Sequence, residues 1–350
     1  MPRVAAVATA LPPYKITQAN ARAFAASHFR AQRRDVDRLL PVFDHSGIEA
    51  RHLCVPPGWF TTPRTFAEKN ALYIEWCTRL GEQVTRACLD QAGISPKKIN
   101  HIIFVSTTGL ATPSIDSRLI NVLGLDSHVR RTPIWGLGCA GGAAGLSHAY
   151  RAALADPHGV VMLVTVELCG LTFHFGDFSK SNFIATALFA DGAAGVLVTG
   201  GEVDTIGPEI LGTQSTIWPD SLDVMGWNFD SVGMQVVFSR AIPAIVREKT
   251  RNNIDEFLQS FGLEFNQVRH LIPHPGGAKV MDAYEEALGL DDHRLAAARS
   301  TLRDHGNMSA PTVLFVLERT LSNGAAKTGD YAVLTALGPG FSSENVLLRL

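Results

Sequence analysis

At 350 residues, 46% of them hydrophobic, the chain can bury a large core, and its length suggests two domains or one large duplicated unit. The formal net charge is -2 with acids and bases interleaved, so no basic run or aromatic-basic stripe offers a nucleic-acid groove. No stretch reaches the roughly 18 uninterrupted apolar residues of a membrane span. The five cysteines, with no Cys-x-x-Cys pair, point to a reduced, cytoplasmic setting and away from a metal site.

Strand-like and helix-like stretches alternate from the start. Residues 4–11 predict a first strand rather than an export signal, because the apolar run is short and Pro12-Pro13 follow it. Residues 66–92 predict a helix: apolar Leu72, Trp76, Leu80, Val84 and Cys88 recur every fourth residue, with Pro63 before and Gly93 after. Strands follow at 101–106, 132–135, 160–166 and 188–198, with helices at 115–123 and 139–154. A second series begins near 206. It has strands at 206–211, 268–272, 331–337 and 345–350, and helices at 234–261 (in two pieces), 277–288 and 310–321. This order predicts an α/β protein with mostly parallel sheets, in two similar halves, 1–200 and 201–350, that meet at Thr199-Gly200-Gly201.

Three loops carry the chemistry. Gly136-Leu137-Gly138-Cys139-Ala140-Gly141-Gly142 runs from a short strand into a small-residue helix and puts a thiol at the helix N-terminus, where free N–H groups favour a thiolate. The match to the dinucleotide fingerprint G-x-G-x-x-G is formal only: the loop lies mid-chain and no strand-end acid follows about 20 residues later. His274 lies between Pro273 and Pro275. The prolines rule out a helical metal pair with His270 and set His274 at a strand end facing a cleft. Asn307, in Gly306-Asn307-Met308-Ser309, reads equally as a helix cap or as a hydrogen-bond donor at a site. Together, a thiolate, an imidazole and an amide suit acyl-thioester chemistry.

The order Cys, His, Asn also occurs in papain-type proteases, but Cys139 lacks their N-terminal position and flanking motif. The sequence instead resembles the thiolase superfamily and, within it, the chalcone synthase-like (type III) polyketide synthases. Carriers of the likeness, which spans the chain, include Gly138-Cys139-Ala140-Gly141-Gly142, Ala187-Leu188-Phe189-Ala190-Asp191-Gly192, His274-Pro275-Gly276-Gly277, Gly306-Asn307-Met308-Ser309 and Gly338-Pro339-Gly340-Phe341. The resemblance implies a five-layered α/β/α/β/α sandwich of two βαβαβ-type halves and a homodimer. It also implies iterative decarboxylative condensation of malonyl-CoA on an acyl-CoA starter held by Cys139, with no metal or redox cofactor. In that scheme His274 and Asn307 stabilise the enolate oxygen, and Phe189 guards the passage between CoA tunnel and pocket. Cys169, Thr172, Gly226 and Ser309 fall at pocket positions, with Thr107 and Thr108 nearby and Glu167 in support; Arg38 and Lys279 fall at CoA phosphate contacts.

Thr112 and Val236 stand where plant chalcone synthases carry methionine and phenylalanine. Smaller side chains there would leave room for a medium or long fatty acyl starter and alkylpyrone or alkylresorcinol products. Two other readings compete: a ketoacyl synthase III-like enzyme performing one condensation on an acyl carrier protein, and a non-catalytic acyl-CoA-binding paralogue.

Overall fold

The computed structural model describes residues 1–230, 233–291 and 293–350. Among these, the strands in chain order are β1 (Arg3–Ala10), β2 (Tyr14–Thr17), β3 (Ala50–Leu53), β4 (His101–Val105), β5 (Arg130–Ile134), β6 (Val160–Leu168), β7 (Asp191–Thr199), β8 (Glu209–Ile217), β9 (Met225–Phe229), β10 (Met234–Phe238), β11 (Val268–Pro273), β12 (Tyr331–Gly338) and β13 (Ser342–Arg349). Nine of them form one sheet in the order β11-β12-β13-β8-β1-β7-β6-β4-β5. The sheet is mixed rather than mostly parallel. Only β4/β5, β4/β6 and β11/β12 pair in parallel, because hairpins and return strands supply the other neighbours. The run β4-β6-β7-β1 and the run β11-β12-β13-β8 share one sequence of senses: parallel, antiparallel, antiparallel. A single pairing, Arg3 with Glu209, joins the two runs.

The helix Phe66–Ala92 has the boundaries its periodicity predicts. Thr65 and Glu68 cap it reciprocally: the Thr65 hydroxyl accepts from the Glu68 N–H and Oε2 of Glu68 accepts from the Thr65 N–H. Its face of Tyr73, Cys77, Leu80, Val84 and Cys88 is buried against β1, β6 and β7. On the far side of the molecule, the helix Ile242–Gln259 packs against the helix Ala278–Leu288, and its Asn253 bonds Thr216 of β8 and Asn345 of β13. Between the two runs of strands lie the helices Gly141–Ala155, buried through Ser147, and Ala310–Ser322, buried through Leu317, packed on each other. The result is helix, sheet, helix, sheet, helix.

The central pair meets very closely. A Cβ on Gly142 would stand 2.3 Å from the Ala310 carbonyl oxygen, so only glycine permits this crossing. Apolar residues from both strand runs and the Ala310–Ser322 helix form one continuous core here, while a second core fills the space under Phe66–Ala92.

Three local expectations fail. Residues 234–238 form strand β10, paired with β9 in a hairpin, and helix begins only at Ile242. Leu188 ends the helix Lys180–Leu188, and the strand begins only at Asp191. Residue 206 is exposed and lies outside β8. The 234–238 run lacks punctuation before the helix, so a strand took the helical period; the other two strands begin at Asp191 and Glu209, a few residues later than expected.

Candidate active site

Cys139 occupies a 3-10 turn, Gly138–Ala140, that leads directly into the Gly141–Ala155 helix. Gly138 adopts φ 47° and an added Cβ would come 2.9 Å from Pro339, so the turn is closed against the loop after β12. His274 follows the last residue of β11, and its N–H bonds Thr335 O of β12 at 2.8 Å. Asn307 is held from both sides. Its N–H bonds Leu188 O and its carbonyl accepts from Ala190 N–H, each at 2.9 Å, while its Nδ2 donates to Gly276 O at 3.0 Å. Asn307 thus ties the His274 loop to the Phe189 turn, and its amide favours the charged form of the Cys139 thiol. It does not cap the next helix; the Ser309 N–H donates back to its Oδ1 at 2.8 Å.

Ser309 has φ 56° and ψ -129°, a region that side-chain-bearing residues rarely occupy. Such strain persists only where surroundings enforce it, and it concentrates at functional sites. Here it aims the hydroxyl at the Cys139 sulfur, where it favours the charged form of the thiol.

The electrostatics correct one expectation. Burial pushes the Cys139 thiol up to about 11, against the helping hydrogen bonds of Ser309 and Asn307, and pushes His274 down to about 4. Burial thus works against both charged forms, the thiolate and the imidazolium. Both His274 ring nitrogens are buried without a partner, which leaves one free to accept a proton and the other to donate.

Glu167, fully buried, accepts from the N–H groups of Thr107 and Thr108 and from the Thr108 hydroxyl, at 3.0, 3.1 and 2.7 Å. Burial still raises its carboxyl to about 7. Thr107 Oγ1 accepts from Gly138 N–H at 3.1 Å, so this cluster braces the cysteine turn from behind.

Beside the triad opens a cavity of about 110 Å³, whose lining includes Cys169, Thr172, Phe189 and Val236. Phe189 caps its helix in extended conformation, with Trp227 and Phe238 of the β9–β10 hairpin 6.1 and 5.5 Å away, ring to ring. Trp227 pairs with Val236 across that hairpin, and Gly226 with Val237, with open space where a Gly226 Cβ would be. Thr112 does not join them: it is exposed, outside the cavity lining. Arg38 and Lys279 are exposed too; Arg38 pairs with Asp35 at 3.5 Å, and neither lines the cavity.

Sequence reasoning overlooked Arg51, an ordinary arginine in a polar stretch. It is buried, its guanidinium lowered to about 10 by that burial, and it donates to the carbonyls of Thr186, Ala187 and Phe189 and to Gln18. A cation at the C-terminal carbonyls of the Lys180–Leu188 helix offsets the dipole there and fixes the turn bearing Phe189. Asp191 was missed likewise. Buried and raised to about 6, it accepts from Cys54 and Gly170 N–H groups and holds the Cys169 turn.

This five-layered architecture, with cysteine, histidine and asparagine converging at its central helices, defines a condensing enzyme of the thiolase fold. Residues 59–202 match the N-terminal domain of the chalcone and stilbene synthases and residues 209–350 their C-terminal domain. A putative chalcone synthase of Bacillus subtilis (strain 168) is 41% identical, over 98% of this chain and 97% of that protein. A 1,3,6,8-tetrahydroxynaphthalene synthase of Streptomyces peucetius is 36% identical over 99% and 92% of the two chains. The crystal structure of the 1,3,6,8-tetrahydroxynaphthalene synthase of Streptomyces coelicolor A3(2), a bacterial type III polyketide synthase, superposes with a TM-score of 0.94 at 26% identity, covering 99% of each chain. The chain belongs to the chalcone and stilbene synthase family: it is a type III polyketide synthase, an acyltransferase acting by decarboxylative condensation of malonyl-CoA.

Proposed function

We propose that this synthase extends a medium- or long-chain fatty acyl-CoA starter and releases alkylpyrone or alkylresorcinol products. The observation that carries the reading is the cavity: from Cys169 and Phe189 it continues between Leu53, Phe60, Ala21 and Phe24, an apolar path suited to a hydrocarbon tail. Val236 stands on the lining of this cavity.

In this reading the Cys139 thiol passes its proton to His274 as its sulfur attacks the starter thioester. The S–acyl bond forms, the bond to CoA sulfur breaks, and the proton leaves with CoA. Transfer within the pair keeps the site net neutral, which burial tolerates better than a lone thiolate. His274 and the Asn307 amide then donate to the malonyl thioester oxygen; carbon dioxide departs and the enolate carbon attacks the acyl group, regenerating the Cys139 sulfur. CoA thioesters supply every carbon, Arg38 and Lys279 offer surface charge to their phosphates, and no cofactor enters. The five free cysteines suit a reducing cytoplasm.

The test is product mass spectrometry with malonyl-CoA and a ladder of starters from acetyl- to hexadecanoyl-CoA. Each buried methylene is worth about 0.8 kcal/mol, so kcat/KM should climb about fourfold per carbon until the cavity fills. Turnover of acetyl or aromatic starters alone overturns the long-chain reading.

The exposed side chains of Leu110, Trp135 and Phe229 gather near Thr112, with Trp135 and Phe229 rings 6.0 Å apart. We assign this patch to the interface of a homodimer. Sedimentation should give twice 37.8 kDa, and Trp135→Glu should shift it toward one copy; a wild-type monomer at micromolar concentration sinks the assignment.

A further inference from the structure

The outer part of the cavity is built by segments outside the nine-stranded sheet. The helix Gln18–Arg30 lines it with Ala21 and Phe24, and the 3-10 turn Pro57–Thr61 with Pro57 and Phe60. Phe24, Phe60 and Phe173 meet edge to face in a closed ring of three, with centroids 6.2, 5.6 and 5.9 Å apart. Edge-to-face packing fixes each ring through the other two, so none swings aside without breaking two contacts. Behind Phe24 the ring of His28 stacks at 5.6 Å, and its Nε2 is tied to Phe175 O at 3.0 Å. The wall therefore has a second layer.

Ala21 precedes Phe24 by three residues and shares its helix face, one turn along. It is buried, and its methyl is the smallest side chain that could line the path from Phe189 outward. One helix thus presents the cavity with a gap and, a turn later, a stop.

We propose that the Gln18–Arg30 helix is the ruler for the acyl chain, with Ala21 and Phe24 its specificity-determining residues: Ala21 leaves room for the tail and Phe24 ends it. This rests on the reading that the hydrocarbon of the starter lies in this cavity. It adds which side chains set the limit and predicts opposite shifts from two substitutions a turn apart. Neither residue touches Cys139, His274 or Asn307, so short starters report the intact chemistry in both variants.

The experiment measures kcat/KM across saturated acyl-CoA starters from butyryl to octadecanoyl for the full chain, Ala21→Phe and Phe24→Ala, with acylation of Cys139 followed by intact mass. Ala21→Phe should keep butyryl turnover and move the optimum at least two carbons shorter, with a tenfold or larger loss on the longest starter the wild type accepts. Phe24→Ala should move the optimum at least two carbons longer, again with butyryl turnover kept. Unchanged profiles in both variants overturn the ruler, and so does a loss that is equal at every length, which would mark a purely structural role. Should Phe24→Ala not fold, Phe24→Leu, which keeps apolar packing while shortening the wall, carries the same expectation with a smaller shift. Failure of the parent reading is separate: it appears in the wild type alone, as absence of turnover on any long starter.

Discussion

Cys139→Ala should make no polyketide. Removing the nucleophile that holds the growing chain costs on the order of 10⁴-fold or more in product formation. Yet the same protein should still release carbon dioxide from malonyl-CoA, because the donors assigned to the enolate, His274 and the Asn307 amide, remain in place. Product mass and carbon dioxide release, measured side by side, separate chain building from decarboxylation. The exchange removes one buried sulfur and the Ser309 hydroxyl's interaction with it, so the melting temperature should hold within a few degrees. The competitor is Cys169, a second buried thiol on the cavity wall whose pKa burial also raises. Product persisting in Cys139→Ala and vanishing in Cys169→Ala would move the nucleophile there.

A His274→Ala protein should show what the imidazole does for the thiol. Without a base, Cys139 is left in surroundings that hold it up near 11, well above the ordinary 9.0 of a cysteine. The sign follows directly: a raised thiol is uncharged below that value, so alkylation by iodoacetamide should be slow at pH 7 and quicken about tenfold per pH unit toward 10. In the wild type His274 is neutral over this range, its own value being depressed to about 4, and so can take the proton. Alkylation there should be at least tenfold faster at pH 7 and much flatter with pH. Identical profiles in the two proteins would remove His274 from the proton's path. Polyketide formation should fall about 10³-fold in the same variant, since both base and donor are lost.

How far the sequence foretold this depends on the kind of signal. The helix Phe66–Ala92 was legible to the residue because apolar residues at every fourth position, Pro63 before and Gly93 after agree. The loops that carry Cys139, His274 and Asn307 were legible because glycine and proline punctuate each one. The β9–β10 hairpin was not: Met234-Gln235-Val236-Val237-Phe238 runs toward the helix at Ile242 without a break, so a strand took a helix's period. The helices Gln18–Arg30, Lys180–Leu188 and Ala296–His305 were missed because their buried faces are narrow or made of small residues. Arg51 and Asp191 left no local mark, since their roles arise only when distant carbonyls and amides converge on them.

The crossing of Gly142 over the Ala310 carbonyl limits how this synthase can be recombined. Cys139 enters the Gly141–Ala155 helix three residues before that crossing, and Asn307 precedes Ala310 by three residues on the other side. A methyl group added at 142 would stand 2.3 Å from the Ala310 carbonyl oxygen, push the two helices apart and separate thiol from amide with them. A chimaera that takes its first half from one synthase and its second from another inherits a working site only if both parents share this clearance. The crossing is thus the tolerance to which the interchangeable parts must be machined.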